Sequence, residues 1–238
     1  MSADVRPLPR RDSLSERIYL DLRARLQRCA IEHDQRLVDL EVAAQYGTSR
    51  MPAREALLRL TNEGYLVGTT RGFMTPKLSL DDIRDIFEVR HLLEPLAASN
   101  AARDLKEADE SLLTDAMAQA RKAASDDDVE RLILANINFR TAWLGAVRNE
   151  RLASTIARFV DHVQTVRIST LADRATRAIV CDGLEGLYRA FCQRDPVSAA
   201  ANMTRFLKAA EHAFFTVRST EILAVSGSGR RAKGAGRS

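Results

Sequence analysis

Apolar residues return every three or four positions along most of this chain, and the breaks in that rhythm divide it. Ser13 and Glu16 form a capping-box pair, and Ile18, Leu22, Leu26 and Cys29 follow at helical spacing, which predicts a first helix. A short second helix is predicted from Leu37 or Val38 to Tyr46, with Gly47 as its terminator. A third starts near Ser49–Pro52, where proline is tolerated in the first turn. It buries Ala53, Ala56, Leu57 and Leu60 and stops at Asn62–Gly64. Tyr65–Val67 and Phe73–Thr75, joined by a turn over Gly68–Gly72, predict a two-stranded hairpin. Beyond it the breakers thin out: no proline lies between Pro95 and Pro196, and Gly145 is the only glycine between Gly72 and Gly183. That Ala-, Leu-, Arg- and Glu-rich stretch predicts long helices.

Helix, helix, tight turn, helix, hairpin is the plan of a winged helix-turn-helix. The expected fold is therefore mainly α: three helices and a two-stranded wing at the N-terminus, then an all-α helical bundle. The boundaries read as a flexible N-terminus over 1–12, the winged helix-turn-helix unit over 13–77, the all-helical unit over 78–224, and a basic, disordered tail over 225–238.

Charge changes this picture less than the formal net +4 suggests, because Arg230, Arg231, Lys233 and Arg237 in the tail match the whole excess. The first eighty residues are modestly basic and the middle of the chain modestly acidic. No apolar run is long enough for a bilayer, and the N-terminus lacks the hydrophobic stretch of a signal peptide, so a soluble cytoplasmic protein is expected. Cys29, Cys181 and Cys192 are scattered and odd in number, giving neither a metal cluster nor a disulfide framework. There is no nucleophile motif, no glycine-rich phosphate loop and no cluster of His, Asp and Cys, so an enzyme is not expected.

The candidate chemistry is nucleic-acid binding. Arg50 and Arg54 are four residues apart and share one side of the third helix, flanking its apolar stripe. The backbone N–H groups at that helix start, with the Ser49 hydroxyl, suit a phosphate. An arginine there also suits a guanine edge. Arg71 stands at the hairpin tip, where a wing meets the backbone or the minor groove. Two bland readings stay open beside this one: a solvated face with Arg54 paired to an acid, and a winged helix that docks a protein.

The stretch Thr48-Ser49-Arg50-Met51-Pro52-Ala53-Arg54-Glu55-Ala56-Leu57-Leu58-Arg59-Leu60, followed by Glu63-Gly64-Tyr65-Leu66, resembles the GntR family of transcriptional regulators. Arg36-Leu37-Val38 is similar to the family's sequence before its second helix. Leu78–Ile83, Ile86–Arg90 and Glu94 look like the start of the FCD-like helical effector domain of the FadR-type branch. Met51 departs from the usual threonine. The resemblance implies a homodimeric repressor on a palindromic operator of double-stranded DNA, with affinity shifted by a small-molecule effector. It places DNA contacts at Ser49, Arg50, Arg54, Arg71 and Gly72, and puts Met51 close to DNA.

Many effector domains of that branch hold a divalent metal through one Asp and three His. By resemblance those positions are Asn136, Arg140, Leu184 and Phe206 here, a set that cannot bind a divalent cation. His33, His91, His162 and His212 are dispersed, so no metal and no cofactor are expected. Leu132, Asn136, Phe139 and Trp143 share a stripe, as do Ile83, Phe87 and Arg90, which turns Asn136 and Arg90 inward. A metal-free effector pocket of Arg90, Asn136 and Arg140, suited to a carboxylate, is one reading. An Arg90–Glu94 pair within the helix and a solvent-exposed Arg140 is the other.

Overall fold

The computed structural model describes residues 13–27, 30–31, 35–162, 171 and 173–234. The chain divides into two compact units, Met1–Lys77 and Leu78–Ser238.

The first unit follows α1 (Leu14–Gln27), α2 (Asp39–Gln45), α3 (Arg50–Asn62), β1 (Val67–Thr69) and β2 (Gly72–Met74). The Glu16 N–H donates to Ser13 Oγ at 3.2 Å, which caps α1. Cys29 and His33 lie outside the described residues. Ile18 and Leu22 of α1, Val42 and Ala43 of α2, and Ala53, Ala56, Leu57 and Leu60 of α3 form one core with Tyr65 and Leu66. A polar lock sits at its rim. Arg59 lies 3.6 Å from the Tyr19 ring centroid and bonds Glu16 at 2.5 Å and Glu63 at 3.1 Å, while the Tyr19 hydroxyl donates to Glu63.

The hairpin is set differently from the sequence reading. Val67 pairs with Met74, Gly68 with Phe73 and Thr69 with Gly72, so the turn is only Thr70-Arg71. Tyr65 and Leu66 are drawn into the core ahead of the first strand. Burial of those two side chains, worth roughly 1.5–3 kcal/mol for a large apolar group, outweighs the strand preference of Tyr65. Leu37 exchanges both backbone hydrogen bonds with Phe73, at 2.8 and 2.9 Å, tying the wing to the segment before α2.

The second unit is helical: α4 (Leu80–Asp104), α5 (Glu107–Ser125), α6 (Val129–Gly145), α7 (Glu150–His162), α8 (Arg174–Cys192) and α9 (Pro196–Gly234). Ser79 and Asp82 close a full capping box on α4. α4 packs on α9 and α7, α5 on α6 and α8, and α8 on α9. Ala97, Ala98, Ala101 and Ala102 are fully buried on α4, and such small residues let helices approach closely. Trp143 and Phe139 meet Phe191 of α8 at centroid distances of 6.3 and 6.2 Å. α9 runs on through the first ten residues of the segment expected to be a disordered tail, and 235–238 lie outside the described residues. Extending an established helix needs no new nucleation.

Candidate functional site

The turn between α2 and α3 is made possible by Gly47, whose φ of +62° is a left-handed value that suits glycine. Thr48 N–H closes the turn onto Ala43 at 2.9 Å. Ser49 then enters α3 in extended conformation as its N-cap, and its side chain makes no capping bond. The hydroxyl and the first amides of α3 are thus left for a ligand outside the helix.

Four of the sequence-predicted residues come together there. Ser49, Arg50, Met51 and Arg54 are exposed over the first two turns of α3, Met51 to 66%. Both guanidiniums converge on Asp39, the first residue of α2. Arg50 donates to its two oxygens at 3.0 Å each, and Arg54 approaches to 3.7 Å. Asp39 is buried whereas the arginine side chains stay about three-fifths exposed. The carboxylate therefore orients the two cations from beneath. The Arg50 hydrogen bond is the main reason the Asp39 carboxyl lies below its ordinary value. Its stabilising effect is full above the unfolded carboxylate value, about 3.9, and is lost as the pH falls through the lowered one. Asp39 escaped the sequence reading, since the pairing joins two helices across eleven positions. The acid at the start of α2, opposite two cations across a tight turn, is the signal that could have found it.

Arg71 is exposed at the tip of the two-residue turn, where its N–H donates to Thr69 Oγ1 at 3.3 Å. Thr69 in turn donates to the Gly72 carbonyl at 2.9 Å, so the tip is braced from within. Gly72 has a structural duty beside any contact with DNA. Its φ is +126°, and a Cβ there would stand 2.7 Å from the Leu37 carbonyl oxygen. Gly72→Ala is accordingly expected to cost about 1–3 kcal/mol of stability, read as a lower melting temperature of the full chain.

In the second unit, Asn136, Arg140, Leu184 and Phe206 line one small cavity, together with Glu94, Phe139, Trp143, Leu187 and Met203. The four positions that the resemblance aligns with metal ligands are therefore neighbours in space. Their chemistry fits no divalent cation: an amide, a guanidinium, a leucine and a phenylalanine supply one neutral oxygen donor and a permanent positive charge. Among the described residues no three of His, Cys, Asp and Glu come together as a metal would require. Asn136 is 3% exposed and Arg140 half-buried.

Arg90 is not part of that lining. It is buried against Glu94, bonded at 2.5 and 3.5 Å, with its guanidinium 5.1 Å from the Phe87 ring centroid. It reaches the cavity only through Glu94. The cavity volume is about 10 Å³, close to that of one water. Alongside lies an open groove of about 630 Å³ between α8 and α9, bordered by Asp182, Arg189, Asn202 and Arg205. Phe206 borders both spaces, lying so close to Gly183 that a Cβ there would meet its ring at 2.2 Å. The neighbouring Cys181 is half-buried, and burial pushes its thiol up, away from nucleophilic use.

No helix among the described residues is long and apolar enough to cross a membrane. Residues 14–72 match the family described as bacterial regulatory proteins, gntR family, and residues 85–209 match the FCD domain family. The Nta operon transcriptional regulator of Aminobacter aminovorans is 31% identical over 134 residues, covering 56% of this chain and 63% of that protein. The HTH-type transcriptional regulator McbR of Escherichia coli is 31% identical over 131 residues, covering 55% of this chain and 59% of its own length. The match thus spans about three-fifths of each of these relatives. The solved structure of E. coli McbR/YncC superposes with a TM-score of 0.75 at 22% identity, over 87% of this chain and 99% of that one, which bears on the fold alone.

Proposed function

Because this chain belongs to the FCD domain family and carries a gntR-family unit before it, we propose that it is a ligand-responsive transcriptional repressor. It binds a palindromic operator as a homodimer, each protomer reading one half-site. The observation that carries this reading is the pair of exposed guanidiniums held by one buried carboxylate at the start of α3. Guanidiniums in that position can bond guanine edges or phosphates with two donors each. Ser49 and the first α3 amides fix a backbone phosphate, and Arg71 contacts DNA from the wing tip. Met51, where threonine is usual, replaces a hydroxyl contact with an apolar one that suits a thymine methyl.

Effector sensing is proposed for the second unit. A small carboxylate reaches Asn136 and Arg140 from the open groove by displacing the Phe206 ring, because the cavity as it stands admits no more than a water. Arg90 serves by holding Glu94 in place. No metal takes part, consistent with the donor set. The test is a titration of the full chain on DNA from its own upstream region, with and without a panel of small organic acids. One of them is expected to shift DNA affinity by at least about tenfold, a coupling of about 1.4 kcal/mol. Arg140→Ala is expected to remove that shift while leaving ligand-free DNA affinity unchanged. A full response in the folded Arg140→Ala protein would exclude the carboxylate anchor.

A further inference from the structure

The long helix α4 carries one face that leaves large apolar side chains exposed among the described residues. Leu92 and Leu96 are 70% and 56% exposed there, on a helix whose opposite side is buried through Ile83, Phe87, Glu94, Ala98 and Ala101. Asp85, Val89, Leu92, Leu96, Ser99 and Arg103 follow one another at steps of four, three, four, three and four residues. That alternation is the heptad spacing of a coiled-coil seam. At 3.6 residues per turn the six lie within about 40° of the line opposite buried Glu94. Val89 and Ser99 are half-buried, and Asp85 and Arg103 are exposed.

The face is complementary to its own reverse. Position 94 is the midpoint of Asp85 with Arg103, of Val89 with Ser99, and of Leu92 with Leu96. A second α4 laid antiparallel across that midpoint sets each Leu92 on the partner copy's leucine at position 96. It sets the branched Val89 on a small serine, and each Asp85 at an arginine, the two charges being about 27 Å apart within one helix. A parallel arrangement would instead set Asp85 on Asp85 and Arg103 on Arg103, which like charges oppose. Asp85 has no ion-pair partner among the described residues. Among the described residues Arg103 bonds Asp104 and Asn100 with its own side chain still about three-fifths exposed, which leaves it open to a further acid.

We infer that the Asp85–Arg103 face of α4 is the docking surface for a second copy of this chain, in antiparallel register about position 94. The inference rests on the homodimer reading above and gives that dimer its interface and its two-fold axis. An isologous contact of this kind needs a self-complementary patch, and this one supplies two central leucines and a charge pair at each end.

Sedimentation of the full chain over a range of concentrations tests it. Leu92→Glu with Leu96→Glu is expected to raise the dimer dissociation constant at least about a hundredfold, since four buried leucines are lost per dimer. Asp85→Arg alone and Arg103→Asp alone are each expected to raise it about tenfold, and the two together to bring it back near wild type, because the exchanged charges again face each other. All these side chains are exposed in the protomer, so helical circular dichroism should be unchanged; Leu92→Ser with Leu96→Ser replaces the glutamates should those impair folding. A wild-type dimer that the leucine variants leave intact would overturn the seam while sparing the homodimer. Failure of the charge exchange to restore association would overturn the register. A wild-type chain that stays monomeric throughout would remove both.

Discussion

Alanine at both Arg50 and Arg54 is expected to weaken operator binding by about a hundredfold or more at physiological salt. Each guanidinium that bonds a base edge with two donors contributes about 1–3 kcal/mol of discrimination, and a homodimer would lose four of them. The two substitutions should also flatten the salt dependence, because each lost phosphate contact removes roughly one unit from the slope of log affinity against log salt. The winged helix should survive them, less the stabilisation that the two guanidiniums lend the buried Asp39 carboxylate. Both side chains project from α3 into solvent and take no part in the packed core of Ala53, Ala56, Leu57 and Leu60. Asp39 would lose its partners, so Asp39→Asn is the control that separates tether from reader. Anisotropy of a labelled operator across salt concentrations measures all of this. Equal affinity and equal slope in the folded double variant would sink the assignment of α3 as the reading helix.

Glu94→Ala is expected to destabilise the second unit by about 3–5 kcal/mol, the usual cost of leaving a buried charge without its partner. Arg90 and Glu94 are 4% and 2% exposed and bond each other within α4. Among the described residues no buried side-chain nitrogen or oxygen lacks a hydrogen-bond partner, so removing Glu94 opens a gap where there is none. Replacing both members by leucine or methionine should cost far less, because the burial of charge disappears with the pair. Urea unfolding followed by the fluorescence of Trp143, the chain's only tryptophan, reads the second unit directly. A loss below about 1 kcal/mol for Glu94→Ala would mean that Arg90 finds water or another acid, and that the pair does not shape the cavity.

Local periodicity made most of the architecture legible. The apolar stripe Ala53, Ala56, Leu57, Leu60 of α3 and the inward side of α6, with Asn136 beside Leu132, Phe139 and Trp143, are buried where helical spacing put them. The wing was less legible. Three-residue strands leave too little alternation to set a register, and Tyr65 and Leu66 joined the core in place of the sheet. Pairings between elements were least legible. Asp39 meets Arg50 and Arg54 only because a tight turn folds α2 back on α3, and Phe206 meets Gly183 only because two helices cross there. Spacing rules operate within an element and are silent about such contacts. The gathering of Asn136, Arg140, Leu184 and Phe206 around one cavity followed from family resemblance, which carries three-dimensional information that spacing lacks. The small size of that cavity, by contrast, depends on how tightly Phe206 and Met203 close on α6, and no sequence pattern states it.

Selection from a random pool of duplexes tests whether α3 of this chain reads DNA sequence within a two-fold assembly. Purified full chain would capture binders at physiological salt, and the enriched duplexes would be sequenced. The expected product is an inverted repeat, its half-sites centred one helical turn or a multiple of it apart, and its enrichment is lost when Arg50 and Arg54 are alanine. A pool that stays random with a folded protein, or an enriched motif that the double variant selects equally well, would contradict it.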